Sequence, residues 1–294
     1  MGGSTFSVAY GIAIAGEKNT KRFCWGFRFV FPYICWRNGV QMSTKIKQLQ
    51  RQSQETPVLY SAWLEQQGFT RSELADFVKR NWLRRIANGV YCFDGYTPTL
   101  YAVLYSYRRL LGKKYVLGAS TALGLWGFSH YGYMGDEPTF LYSPDGEHIP
   151  KWFKASSLFA SLQVFSSSLF SGSEVGIDLL EVGGYEFFAS SPERAILEVL
   201  SLSPMYYSLM DVYYVTEMLT TLRCNLLQQL LEMSRSVKVN RLLLYFADKA
   251  QLPWFKQLDV EKINLGKGKR ALANPGIYVD KYRITVPKEL YDYE

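Results

Sequence analysis

The sequence predicts an α+β chain, with a small N-terminal module of three helices closed by a β-hairpin ahead of a larger mixed α/β domain. Three observations carry that reading. Residues 68–93, GFTRSELADFVKRNWLRRIANGVYCF, run from a capped helix directly into a two-stranded hairpin. The net charge of +7 is uneven: residues 1–41 hold +4, residues 42–95 hold +3, and 96–294 are neutral. Beyond Pro98, helical and strand patterns follow one another without the regular βαβ alternation of a doubly wound sheet.

The elements follow in order. Residues 1–41 are aromatic and irregular, with neither amphipathic period nor turn logic. Phe6–Ala15 could pass for a short apolar signal region, but no basic residue precedes it and no run reaches the length of a membrane span. Met42 opens a conventional sequence, which favours a mis-assigned start or an unstructured extension over a working targeting signal. A first helix is expected over about 44–53, with Ile46 and Leu49 on one side. A second is expected over about 57–67, opened by Pro57 and ended by Gly68. Thr70 and Glu73 form a T-x-x-E capping box for a third helix, about 71–80, that buries Leu74, Phe77 and Val78. Asn81 stands where that helix must stop, and asparagine tolerates the left-handed conformation. Strands 82–86 and 90–93 then flank Asn88-Gly89, a strong hairpin signal.

Asp94–Pro98 reads as a turn, which sets the expected domain plan: an extension at 1–41, a winged helix-turn-helix at 42–95 and a second domain at 96–294. In the second domain, helices are expected near 99–111, 120–127, 191–202, 205–222, 225–235 and 237–250, with Ser120 as the cap of the second of these. Strands are expected near 115–117 and 137–142, within 155–190, and in the tail from Ile263 to Val286.

In winged helices the third helix enters the major groove and its early exposed residues meet base edges. Here Thr70, Arg71 and Ser72 stand there, with Asp76 a further candidate. Lys79, Arg80, Arg84, Arg85 and Asn88 are expected on phosphate or in the adjacent minor groove. The competing reading is a winged helix used for protein contact, with these charges as a solvated face. The 16% aromatic content likewise fits either a Tyr- and Phe-rich core or base stacking.

Catalytic signals are scarce. H-E-x-x-H, G-x-S-x-G and the phosphate-binding G-x-x-x-x-G-K-[ST] are all absent. Gly172-Ser173 resembles the start of a nucleotidyltransferase signature, but Asp178 and Glu181 are spaced three apart rather than as a tight metal-binding pair. His130 and His148 have no visible partner, and Cys24, Cys35, Cys92 and Cys224 make no CxxC pair. No catalytic residue, metal or cofactor is therefore expected, and the scattered thiols suit a reducing cytoplasm. Lys267, Lys269 and Arg270, in a basic glycine loop, are candidates for phosphate or RNA contact, with a plain turn as the equal alternative. Arg194 lies in the first turn of a helix, where a cation gains nothing from the macrodipole; a specific carboxylate partner is expected, an interdomain salt bridge being the plainer form.

The order of these pieces resembles the AbiEi antitoxins of AbiE-type phage-abortive-infection systems. The likeness begins at MSTKIKQL and SAWLEQQGFTRSELADFVKRNWLRRIANGVY, and continues through GASTALGLWGFSHY, HIPKWF and SSPERAILEVL. It ends with SVKVNRLLLYFADKA and INLGKGKRALANPGIYVDKYRITVPKEL, covering essentially all of 42–294 and none of 1–41. Asn81 departs from the glycine expected there, while keeping the role of helix terminator. The resemblance implies an N-terminal winged helix that represses its own operon at inverted repeats in promoter DNA. It also implies a C-terminal domain that counters a nucleotidyltransferase-like toxin without requiring a stable complex, as in type IV systems. A stand-alone regulator with a ligand-sensing C-terminal domain is the alternative. An enzyme acting on nucleic acid is the third reading, disfavoured by the poverty in histidine and paired carboxylates.

Overall fold

Pro57 precedes not a second helix but a strand. In a computed structural model, which describes residues 44–53, 56–128, 138–143, 150–155, 161–166, 169–170 and 173–293, helix α1 spans Thr44–Gln52 and strand β1 Val58–Tyr60. Helix α2 occupies only Ser61–Gln66. The apolar stripe read as one long helix is thus two elements. Val58, Leu59 and Tyr60 are all buried, a pattern no single helix face provides, and they are β-branched, aliphatic and aromatic. Their backbone pairs antiparallel with β3, Val58 opposite Cys92 and Tyr60 opposite Val90.

Helix α3 spans Arg71–Lys79 and strands β2 and β3 span Leu83–Ala87 and Val90–Phe93, closing a three-stranded sheet in the order β1-β3-β2. The core beneath consists of Ile46 and Leu49 from α1, Leu59, Leu64, Phe69, Leu74 and Phe77, and Leu83 from β2. Helix α4, Leu100–Leu111, also belongs to this unit, which runs to Lys113 and includes Leu180–Glu186. Tyr60 donates to the Val103 carbonyl at 3.2 Å and its ring stacks on Tyr107 at 4.3 Å, while Ser106 Oγ accepts from the Val58 amide at 3.3 Å. Arg108 pairs with Glu186 at 2.9 Å.

The second unit comprises Lys114–Leu179 and Phe187–Glu294. The main sheet uses β4 (Val116–Leu117), β5 (Thr139–Ser143), β6 (Leu162–Ser166), β7 (Ile177–Val182) and β8 (Tyr185–Ser190), in the order β6-β5-β4-β8-β7, with Leu180–Glu186 of its last two strands falling in the first unit. The sheet is mixed: β4 runs antiparallel to β5 but parallel to β8, and β5 parallel to β6. Helices α5 (Ala119–Leu125), α6 (Lys151–Ala155), α7 (Pro192–Leu202), α8 (Leu209–Met218), α9 (Cys224–Met233) and α10 (Val237–Lys249) accompany it. Helices α7 and α10 are central: Ala195–Leu197 and Leu242–Leu244 are each fully buried. A small sheet in the tail sets β11 (Ile284–Val286) between β10 (Ile277–Val279) and β9 (Arg270–Ala271), before α11 (Lys288–Asp292).

Charged groups organise this core. Arg194 donates to Glu198 at 2.9 Å within α7 and to the carbonyls of Ser173 and Val175, with both side chains almost wholly buried. The expected carboxylate partner is thus a neighbour one turn along the same helix. Glu198 in turn accepts from the Ala119 amide at 3.0 Å and so caps α5 from a distance. Ser120 is not the cap: Gly118 holds that position, and Ser120 Oγ accepts from the Tyr207 hydroxyl at 2.7 Å. Gly118 is required there, since a Cβ would lie 2.5 Å from both Tyr142 and Glu198.

Candidate nucleic-acid interface

The first functional element is α3, and its sequence explains how it is held. Thr70 Oγ1 accepts from the Glu73 amide at 3.3 Å while Glu73 accepts from the Thr70 amide at 2.9 Å, the complete capping box. Lys45 from α1 also donates to Glu73. These bonds, the Lys45 one foremost, draw the Glu73 carboxyl from 4.5 down to about 2. Thr70 is therefore engaged in starting the helix. Leu74 and Phe77 face the core, which turns Ser72, Asp76 and Lys79 to the other side of a 3.6-residue period. Arg71, Ser72 and Lys79 are exposed there.

Asn81 ends the helix at φ 57°, the left-handed conformation expected of it. The wing follows. Arg84 and Arg85 are both exposed although adjacent on β2, and the register shifts just beyond them, between Arg85 and Ala87. Arg84 donates to the Tyr96 carbonyl at 2.7 Å, and Arg85 to Asn88 Oδ1 and the Ala87 carbonyl. The turn itself needs glycine twice over: Gly89 has φ 73°, and a Cβ there would lie 2.7 Å from Ser61 Oγ at the start of α2. That close approach has no signature in the local sequence.

Two of the candidate cations already hold carboxylates. Arg71 pairs with Glu65 at 3.2 Å and Arg80 with Asp76 at 2.8 Å, Arg80 also lying 5.4 Å from the Trp82 ring centre. Exposed pairs of this kind are worth only about 0–1 kcal/mol, so a phosphate can compete for either arginine.

In the second unit, the basic glycine loop is organised by a buried cation that sequence reasoning missed. Arg241 donates to the carbonyls of Leu265 and Gly268, both at 2.6 Å, and Arg283 to that of Lys267 at 3.0 Å. The Gly266 amide is taken by Asn264 Oδ1 at 3.1 Å, so this part of the loop does not present an open amide cradle. Lys269 sits 4.7 Å from the Tyr278 ring centre, while Arg270 lines a cavity. Asp178, the carboxylate weighed for metal chemistry, pairs with Arg223 at 3.2 Å. Among the described residues no cluster of His, Cys, Asp and Glu could hold a metal ion, and no helix is long and apolar enough to cross a membrane. Burial pushes the Cys92 thiol up. His130, His148, Gly172, Cys24 and Cys35 lie outside the described residues.

A capped helix feeding a basic hairpin, ahead of a larger mixed domain, is the build of a two-domain transcriptional regulator. Family comparison makes this specific. Residues 42–134 match the N-terminal domain model of the AbiEi antitoxin transcriptional regulators, and residues 136–287 match the model for the transcriptional regulator, AbiEi antitoxin, of type IV toxin–antitoxin systems. The chain belongs to this family. The crystal structure of the RV2827C protein from Mycobacterium tuberculosis is similar in fold, with a TM-score of 0.57 at 13% identity over 82% of this chain and 89% of that one. No curated protein matches the chain.

Proposed function

We propose that this protein is a cytoplasmic, non-enzymatic antitoxin that represses its own operon. The first unit, with the element order of a winged helix-turn-helix, binds inverted repeats in promoter DNA. The second domain, 96–294 in the plan read from the sequence, counters a nucleotidyltransferase-like toxin. The observation that carries the DNA reading is the exposed pair Arg84 and Arg85 on the wing beside a helix whose outer face is polar and basic. Arg71 and Ser72 meet base edges, and Lys79, Arg80, Arg84, Arg85 and Asn88 meet the backbone. Thr70 contributes by fixing the helix start. The toxin-directed role follows the family, with Lys267, Lys269 and Arg270 as its candidate contacts.

Replacing Arg84 and Arg85 with alanine tests the DNA reading. Affinity for promoter DNA, followed by fluorescence anisotropy over a salt series, is expected to fall for every sequence. The slope of log affinity against log salt should flatten by about 0.9 for each lost phosphate contact. An unchanged slope and affinity would remove the wing from the interface. Rescue of cells from the co-expressed neighbouring gene product should survive the same double substitution.

A further inference from the structure

The second unit contains a cavity of about 510 Å³ that the repressor reading does not use. Three cations lie on it: Arg235, Lys238 and Arg270. Lys238 is fixed by donating to the carbonyls of Ser201 at 2.9 Å and Ser203 at 2.6 Å, which leaves one N–H to spare. The 13-residue helix α10 begins at the same place, since its cap Ser236 and first residue Val237 also line the cavity. The free amides of a first turn carry partial positive charge and attract anions.

A second, independent feature points to a ligand. Tyr142 lines the cavity, is only 6% exposed, and its hydroxyl has no hydrogen-bond partner. Buried polar groups are nearly always paired, so an orphan hydroxyl on a residue of the lining is a donor with an acceptor still to be supplied. Burial, with Glu198 nearby, holds the phenol protonated and therefore a donor. Among the described residues Glu198 is the one carboxylate on the lining, and it is already committed to Arg194, Ser190 and the Ala119 amide. Its charge is balanced by Arg194, so no other carboxylate among the described residues of the lining compensates the three rim cations.

Phe165, Leu169 and Leu202 make the apolar part of the wall. Phe165 lies beside Tyr142, ring centres 5.9 Å apart. A lone phosphate needs far less room than this volume, which falls in the range of small-ligand pockets, roughly 300–1,000 Å³. We propose that the cavity binds a mononucleotide, its phosphate held by Arg235, Lys238, Arg270 and the start of α10, and its base against Phe165 and Tyr142. The site lies wholly in the second unit, so it stands or falls separately from the DNA interface.

The test is calorimetric titration of the full chain with AMP, GMP, ADP and GTP, alongside inorganic phosphate, ribose 5-phosphate and the free nucleosides. At least one nucleotide is expected to bind more tightly than phosphate, ribose 5-phosphate or its own nucleoside. Arg235→Ala combined with Arg270→Ala should weaken it about tenfold or more, as loss of charge-assisted bonds does. Tyr142→Phe removes only the hydroxyl, preserves the ring and should weaken binding severalfold; it decides the matter if the double variant does not fold, as checked by circular dichroism. Absence of nucleotide binding, affinity unchanged in folded variants, or phosphate binding as well as any nucleotide would each overturn the proposal. So would a short single-stranded RNA that outcompetes every mononucleotide at the same residues.

Discussion

At the scale of single residues, the buried pair of Arg194 and Glu198 is the most consequential contact in the second unit. Each partner also satisfies backbone: Arg194 holds the carbonyls of Ser173 and Val175, and Glu198 the amide that opens α5. Removing one charge strands the other in the core. Arg194→Met is expected to cost about 3–5 kcal/mol in urea unfolding, with the double replacement by Met at both positions costing less than the single. A single substitution that costs under about 1 kcal/mol would show the pair to be solvated rather than buried. Sequence position alone indicated that Arg194 needed a partner, because a cation at a helix N-terminus opposes the macrodipole. It could not say that the partner was Glu198, since an i,i+4 pair buried on all sides looks the same in sequence as one on a surface. Gly89 teaches the same lesson: its place in an Asn-Gly turn is visible, its contact with Ser61 is not.

Among the elements, α3 was the best announced and β1 the worst. The capping box, the buried Leu74 and Phe77 and the left-handed Asn81 are all local devices, and each does what its spacing implies. The capping box also carries a pH dependence. Glu73 has its carboxyl drawn from 4.5 to about 2 in the folded state. A depressed folded value means the stabilisation is complete above about 4.5 and is lost as pH falls towards 2. The difference in unfolding midpoint between the native chain and Glu73→Gln, followed by circular dichroism, should therefore be present at neutral pH and shrink across that window. A difference that stays constant from pH 7 to 2 would place the stabilisation elsewhere. Strand β1, by contrast, was read as the start of a helix. In sequence Val58 and Leu59 continue the helical spacing of Ala62, Trp63 and Leu64 as readily as they open a strand, and the choice fell to β3, whose free edge offered hydrogen bonds.

For the molecule as a whole, the question is where the first unit ends. The turn at Asp94–Pro98 punctuates the chain, yet α4 beyond it covers β1 through Tyr60, Val103, Ser106 and Tyr107. A fragment of residues 42–113 is expected to resist urea better than one of 42–95, by about 3–9 kcal/mol for the two or three large side chains it keeps buried. Equal stability would make α4 dispensable to the unit. Composition, charge distribution and local motifs determined that the chain is α+β, where helix and wing join, and which cations are offered to solvent, because caps, turns and amphipathic faces act over a few residues. Tertiary structure alone decided that Val58–Tyr60 is a strand, that Arg241 braces the basic glycine loop, and that Arg235, Lys238, Arg270 and Tyr142 surround one cavity. Those depend on residues up to about 130 positions apart, and pairing across such distances is set by packing, which leaves no periodic trace in sequence.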